Sequence, residues 1–442
     1  MSTSEKGLAP ERWVALKVLA RVEDGAFTDK ALAGEARKAE LEGAQRAAAM
    51  RLSFGAVQRE RTLDWIIEQA SERPLEKIEP RVMDVLRIGT YELLFSDGVP
   101  EHAAVDQAVR AARTLRGSAA RRSSRAGLVN AVLRRIARDG TAWLDGCTNP
   151  AIRHSMPDWI AERLVRDFGD EAGDLMATAN EPAQNALRWN SLRGPREGLE
   201  ALLPEGADPG KIAPESYVIT GGFDLEESEI WSAGLAMGQS QASMLPARIL
   251  DPKPGERVLD LCSAPGAKAT QIAALANNEA EIVAVELHEA RAEALRRLAE
   301  RMGARIEVIV GDGREVELEG TFDAILVDPP CTGTGVLSAR PDARWRRREE
   351  SLGPLLELQK GLLERALGLL SDGGRVVYST CSLLGEENEQ IVEQVDATVL
   401  DLTASFPTLA HPRLAGALQT RPDRDGTDGF FIAKLAARIP AS

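Results

Sequence analysis

Apolar residues along the first 140 positions recur three and four apart. Trp13, Leu16, Leu19 and Val22 form one stripe, and Val82, Val85, Leu86 and Leu93 form another. Val105, Ala108 and Ala112 make a third, and Leu128, Val129, Val132, Leu133 and Ile136 a fourth. That spacing is one face of an α-helix. Pro80 and Pro100 stand where two stripes begin, where a missing N–H costs little. The pattern predicts an all-α bundle of about seven helices over residues 1–140. Residues 141–235 change character. Prolines punctuate them, a helical stretch covers 158–180, and short strand-like runs fall at 186–189 and 217–219. These predict a small α+β module. From Arg257 the period changes again. Apolar runs at 258–262, 282–286, 306–312, 322–328 and 376–380 alternate with helical stretches such as 290–301 and 355–370. Such alternation builds a mostly parallel sheet covered by helices, so residues 236–442 read as an α/β, Rossmann-like domain. Two late runs, 397–402 and 430–435, are candidate edge strands.

Composition narrows the class. The chain has 442 residues, 44% hydrophobic and 28% charged, as in ordinary globular proteins. No run of ~18 apolar residues predicts a membrane span, and the first residues lack the apolar core of a secretory signal. The four cysteines, Cys147, Cys262, Cys331 and Cys381, show no C-x-x-C spacing, and only four histidines accompany them. No metal site is expected, and a cytoplasmic location is. Net charge is -14, which read as a sum argues against nucleic acid. The distribution reverses that reading. Residues 1–150 carry 24 Lys+Arg against 21 Asp+Glu, and the remainder carry 30 against 47. Eight arginines and no acid lie between Arg113 and Arg138, and five arginines with one acid between Arg340 and Arg348. Such clusters either bind phosphate in bidentate forks or solvate a helix face.

The chemistry-bearing residues sit at strand ends. The first strand of the α/β domain breaks into Cys262, Ser263, Ala264, Pro265, Gly266, Ala267 and Lys268 before a helix. Small residues there let a ligand approach the backbone closely. The second strand ends at Glu286, placed to accept from ribose hydroxyls. Asp312 follows the third and suits an adenine amino group, and Asp328 ends the fourth. An adenosine-type cofactor without pyrophosphate fits, and S-adenosylmethionine is the candidate. Asp328-Pro329-Pro330-Cys331 closes strand four, and Thr380-Cys381-Ser382 closes strand five. In a doubly wound sheet both ends open on one crevice. A buried cysteine is often only a small hydrophobe. The alternative is covalent catalysis: a thiolate adding to carbon-6 of cytosine makes carbon-5 nucleophilic enough to take a methyl group. Asp328 would then bond the ring nitrogen-3 edge or the exocyclic amine.

D-L-C-S-A-P-G-A-K, D-P-P-C-T-G-T-G and Y-S-T-C-S-L-L-G-E-E-N-E, in that order, resemble the Sun/RsmB group of Nop/Sun RNA cytosine-5 methyltransferases. R-V-M-D-V-L-R-I-G-T-Y-E-L-L-F, V-P-E-H-A-A-V-D-Q-A-V and G-L-V-N-A-V-L-R-R-I resemble the NusB-type RNA-binding domain that precedes the catalytic domain in the bacterial 16S rRNA member. The resemblance covers nearly the whole chain. It implies a class I methyltransferase domain at 236–442, a linker or RNA-binding module at 141–235 and a NusB-like domain at 1–140. It implies Cys381 as nucleophile and Cys331 as the residue that assists product release. Cys262 to Lys268, with Glu286, Asp312 and Asp328, would hold S-adenosylmethionine. The segment R-P-D-A-R-W-R-R-R resembles the family's RNA-side loop, making Arg344 and Arg346 candidate phosphate contacts. The expected partner is RNA, 16S rRNA in the first place, free or in an early ribosomal particle, with the protein a monomer. Three positions depart from the family: Ala267 where a second Gly is usual, Glu286 where Asp is usual, and Ser240 where the family's Q-D-x-x-S has its acid. Two rival readings stand beside this one: the same chemistry on tRNA or another RNA, and a non-catalytic RNA-binding or antitermination factor.

Overall fold

The computed structural model describes residues 7–438. The chain forms two compact units. One comprises Met1–Glu181 with Leu337–Arg346, the other Pro182–Val336 with Arg347–Ser442.

Unit 1 begins with seven α-helices: α1 (Pro10–Glu23), α2 (Thr28–Lys38), α3 (Gly43–Gln58), α4 (Glu60–Ser71), α5 (Pro80–Phe95), α6 (Glu101–Thr114) and α7 (Ala119–Asp139). Pro80 opens α5, and Pro100 is the N-cap of α6. The predicted stripes face one core. Val82, Val85, Leu86, Val129, Val132, Leu133 and Ile136 are buried there with Leu63, Ile66 and Ile67. Each such side chain contributes about 1.5–3 kcal/mol by leaving water. The following short helices join this unit. The Arg61 N–H donates to Ser155 Oγ (3.0 Å), and Thr62 Oγ1 donates to the Ile152 carbonyl (2.5 Å). Residues 141–181 therefore pack with the bundle, and the expected helix over 158–180 is two, Asp158–Phe168 and Ala172–Thr178, parted at Gly169.

Unit 2 holds two sheets. Strands β1 (Asn185–Trp189), β2 (Ala207–Pro209), β3 (Ser216–Ile219) and β4 (Ala236–Gly238) form an antiparallel sheet in the order β2-β3-β1-β4. The larger sheet contains β5 (Arg257–Asp260), β6 (Glu281–Glu286), β7 (Glu307–Val310), β8 (Phe322–Val327), β9 (Leu370–Thr380), β10 (Ala397–Leu400), β11 (Leu418–Thr420) and β12 (Phe430–Ala437). Its order is β10-β12-β9-β8-β5-β6-β7, with β11 paired to β12. β5 to β9 are parallel, and β12 runs antiparallel to its neighbours. One edge expectation is corrected: β12 lies between β9 and β10. Phe430, Phe431, Ile432, Ala433 and Leu435 are all buried, so both faces of β12 are covered, which suits an interior strand. The chain moves outward from β5 to β6 and β7, then returns to β8. The gap between the ends of β5 and β8 is thus the topological switch point, where such sheets bind ligands. Among the described residues no helix is long and apolar enough to cross a membrane.

Candidate active site

The loop after β5 is shaped by Gly266. Its φ is +105°, and a Cβ there would meet Leu295 Cγ at 3.0 Å. Only glycine suits that conformation and that spacing. Ala267 opens the next helix, Ala267–Leu275, and lies outside the positive-φ residues. Arg188 on β1 is fully buried and donates to the Ala267 carbonyl (2.7 Å) and Thr270 Oγ1 (2.9 Å). Arg291 donates to the Ala264 carbonyl (2.7 Å). The loop is thus braced from two sides.

Four carboxylates surround it. Asp260 is buried at the end of β5, where the Ser263 hydroxyl and the Cys262 N–H act on it without either forming a well-formed hydrogen bond. Burial first, then the charge of Asp328, pushes its carboxyl up to about 7, against the pull of Lys268 and the neighbouring Ser263. Glu286, buried at the end of β6, accepts from the His288 N–H (3.0 Å) and lies 3.3 Å from Arg291 Nη1. Asp312, beyond β7, is gripped by the Arg314 side chain at 3.0 and 2.5 Å, which holds its carboxyl below the usual range. Asp328, beyond β8, accepts from Lys268 Nζ (2.6 Å) and Ser379 Oγ (2.8 Å). Burial alone would push Lys268 down. The charge and hydrogen bond of Asp328 outweigh it, and Lys268 is raised instead.

Cys331 and Cys381 are brought together, with their sulfurs 3.3 Å apart. Glycines permit the approach. The Gly335 N–H donates to the Cys381 carbonyl (2.9 Å), and the Gly429 N–H to the Gly335 carbonyl (2.8 Å). A Cβ on Gly335 would stand 2.1 Å from the Gly429 oxygen, so the second glycine of T-G-T-G is required. The Cys331 thiol is pushed well up, first by its hydrogen bond with Cys381, then by burial and by nearby negative charge. Burial, with Asp260, Asp328 and Glu286, also pushes up the Cys262 thiol, which keeps it in the unreactive neutral form.

A sequence family described as 16S rRNA methyltransferase RsmB/F matches residues 247–436. The NusB family matches residues 9–138, and an RsmF/B-like ferredoxin-like domain residues 156–226. The chain is 30% identical over 446 residues to a probable ribosomal RNA small subunit methyltransferase B of Bacillus subtilis, covering 96% of this chain and 98% of that one. The chain belongs to the RsmB/F methyltransferase family. A ribosomal RNA small subunit methyltransferase B of Klebsiella pneumoniae is 32% identical over 393 residues, covering 88% of this chain and 89% of its own. The crystal structure of a methyltransferase homolog protein from Pyrococcus horikoshii superposes with a TM-score of 0.58 at 30% identity, covering 65% of this chain and 98% of that one.

Within this RsmB/F chain, two departures have a physical account. Ala267 is tolerated because the left-handed residue is Gly266. Ser240 caps the helix Gln241–Leu250 by accepting from the Ser243 N–H (3.3 Å), a task for which Ser and Asp serve alike. The arginines need a correction. Arg344 is fully buried inside unit 1. It donates to the carbonyls of Gln58 (3.1 Å), Ser155 (3.0 Å) and Ala179 (2.8 Å), and to Asn180 Oδ1 (2.7 Å). It is not available to a phosphate. Arg346 is paired with Asp342 (2.5 Å), donates to the Gly25 and Ala26 carbonyls and stacks on Phe27. On α7, Arg121 and Arg125 pair with Glu79, and Arg135 with Glu72. Arg113, Arg116 and Arg122 are exposed and, among the described residues, have no carboxylate partner.

Sequence reasoning missed a buried cluster beneath the cysteines: Glu387, Thr332, Ser382 and Gln359. The available signal was Glu387 itself, an acid within the motif that carries Cys381. Among the described residues no group of His, Cys, Asp and Glu is arranged to hold a metal ion.

Proposed function

We propose that this protein transfers a methyl group to carbon-5 of a cytosine in 16S rRNA, through a covalent adduct on Cys381. The observation that carries this reading is the pair of thiols 3.3 Å apart at the ends of β8 and β9, with the Lys268–Asp328 pair beside them. The names of the relatives support small-subunit rRNA as substrate. Residues 262–268, Glu286, Asp312 and Asp328 would hold S-adenosylmethionine, which supplies the methyl group when bound. The fit rests on Asp260: a buried carboxylate with no well-formed hydrogen bond, met only weakly by Ser263 and the Cys262 N–H, suits a ligand bearing an amino group and a positive charge. Asp312 reaches an adenine amine only by sharing its oxygens with Arg314.

Cys381 gives up its thiol proton to solvent, its Sγ forms a bond to carbon-6, and the carbon-5–carbon-6 π electrons move onto the ring toward nitrogen-3. Asp328, oriented by Lys268 and Ser379, bonds the nitrogen-3 and amine edge of the base. After methylation a base takes the carbon-5 proton, the electrons of that C–H bond re-form the carbon-5–carbon-6 double bond, and the carbon–sulfur bond breaks with its electron pair returning to Cys381. Cys331 serves this release step. In unit 1, Arg113, Arg116 and Arg122 offer guanidinium forks to RNA phosphates.

The test separates the cysteines. Cys381→Ala abolishes turnover, keeps cofactor binding and forms no adduct. Cys331→Ala accumulates a protein–RNA complex that survives denaturing electrophoresis. The opposite pattern would exchange their roles, and full activity in both variants would end the covalent reading. Bisulfite sequencing of total RNA with and without the gene identifies the nucleotide; a lost methylcytosine in tRNA would replace rRNA as substrate.

A further inference from the structure

Glu387 is fully buried, and no cation pairs with it among the described residues. A buried charge persists only where hydrogen bonds replace water. Here four donors do so. Oε1 accepts from the Thr332 N–H (2.8 Å) and Gln359 Nε2 (2.9 Å). Oε2 accepts from the hydroxyls of Thr332 and Ser382. Thr332 directly follows Cys331, and Ser382 directly follows Cys381. One carboxylate oxygen therefore ties the residue after one cysteine to the residue after the other. Gln359 extends the tie, donating also to the Pro330 carbonyl (2.9 Å), the residue before Cys331. Tyr378 Oη donates to the Glu387 carbonyl (2.7 Å), which fixes the backbone beneath.

We propose that Glu387 is a positioning residue that clamps the Cys331 and Cys381 turns at sulfur contact distance. This rests on the covalent reading above. The clamp follows from the shared oxygen. Held so, the two sulfurs stand in contact, and either can donate to the other.

Two substitutions separate shape from charge. In Glu387→Gln the amide oxygen still accepts from the Thr332 N–H and Gln359. The amide nitrogen donates to the two hydroxyls, which accept as readily as they donate. The clamp survives without the charge. Glu387→Ala removes both. The probe is diamide, applied to the full-length protein without RNA. Cys331 and Cys381 lose two protons and two electrons to it and form a disulfide, while diamide is reduced to its hydrazine. The rate, read by mass spectrometry, reports how close the sulfurs are held. Glu387→Ala slows it by about tenfold or more, since displacement by an ångström costs reactions about that much or more. Glu387→Gln leaves the rate within about twofold of the parent. An unslowed Glu387→Ala overturns the clamp. Should that variant not fold, Thr332→Val with Ser382→Ala removes the two hydroxyls from Glu387 Oε2 and carries the same test: it slows the rate by about tenfold, and an unslowed rate overturns the clamp equally. The readout does not involve methyl transfer, so failure of RNA adducts to appear would count against the covalent reading alone.

Discussion

Unit 1 and unit 2 each bury a charged side chain that has no ion-pair partner among the described residues, and they complete it differently. Arg344 in unit 1 finds four oxygen acceptors in its own unit, with only its Nε left without one, and burial pushes it down only to about 9. Asp260 in unit 2 has only the Ser263 hydroxyl and the Cys262 N–H acting on it, neither in a well-formed hydrogen bond, and burial pushes it up to about 7. A buried charge with most of its hydrogen bonds made belongs to the architecture. One with few, at a sheet's switch point, describes a site awaiting something that brings donors or positive charge. The same contrast sorts the arginines of unit 1. Arg121, Arg125 and Arg135 are paired with acids, and Arg113, Arg116 and Arg122 face solvent without them.

The largest effect falls on Arg344. Arg344→Met strands four oxygens in a dry interior and costs unit 1 about 3–5 kcal/mol, read by denaturant unfolding. The affinity for S-adenosylmethionine and the salt dependence of RNA binding stay unchanged. A stable variant with a weaker salt slope would return Arg344 to the RNA-binding group.

Next comes Asp260, whose folded pKa lies above its unfolded one. Its contribution is full below pH ~4 and is lost as pH rises through about 7, because the fold then holds a fully buried ionised group with too few donors. Asp260→Asn therefore stabilises the protein at pH 8 by about 2–4 kcal/mol and by almost nothing at pH 4. Saturating S-adenosylmethionine narrows the gap at pH 8. A gap that does not depend on pH would mean Asp260 is already satisfied in the protein alone.

The smallest effect belongs to the exposed arginines. Replacing Arg113, Arg116 and Arg122 together with Ala weakens RNA binding about tenfold at moderate salt. It lowers the slope of log K against log salt by about two, with folding unaffected. Binding measured across a salt series decides it, and an unaltered slope assigns these arginines to solvation.

What the sequence disclosed follows from locality. The α7 stripe, the period of the α/β strands and the cysteines at strand ends are written in neighbouring residues, because a strand's end lies where its apolar run stops. Strands expected at 186–189 and 217–219 appear as β1 and β3 for the same reason. Arg344 was misread because its acceptors are more than 160 residues away, so R-P-D-A-R-W-R-R-R looks like surface charge until Asn180 and Gln58 arrive. Lys268 was read as a cofactor residue, while its partner Asp328 lies 60 positions on. Glu387 stayed silent although its motif was legible. Its meaning is the meeting of Thr332 with Ser382, 50 residues apart, and no periodicity records such a meeting.

The segment Leu337–Arg346 has a consequence for the order of events during synthesis. Unit 1 contains it, yet 155 residues of unit 2, Pro182–Val336, are translated first. A ribosome emits the helical bundle early, as N-terminal domains generally fold while the chain lengthens. Its interior nonetheless keeps the carbonyls of Gln58, Ser155 and Ala179 hydrated until Arg344 emerges. The amino-terminal half of this protein is therefore a provisional structure through most of its own translation, and the last stitch in it is sewn by a stretch of chain made after Cys331.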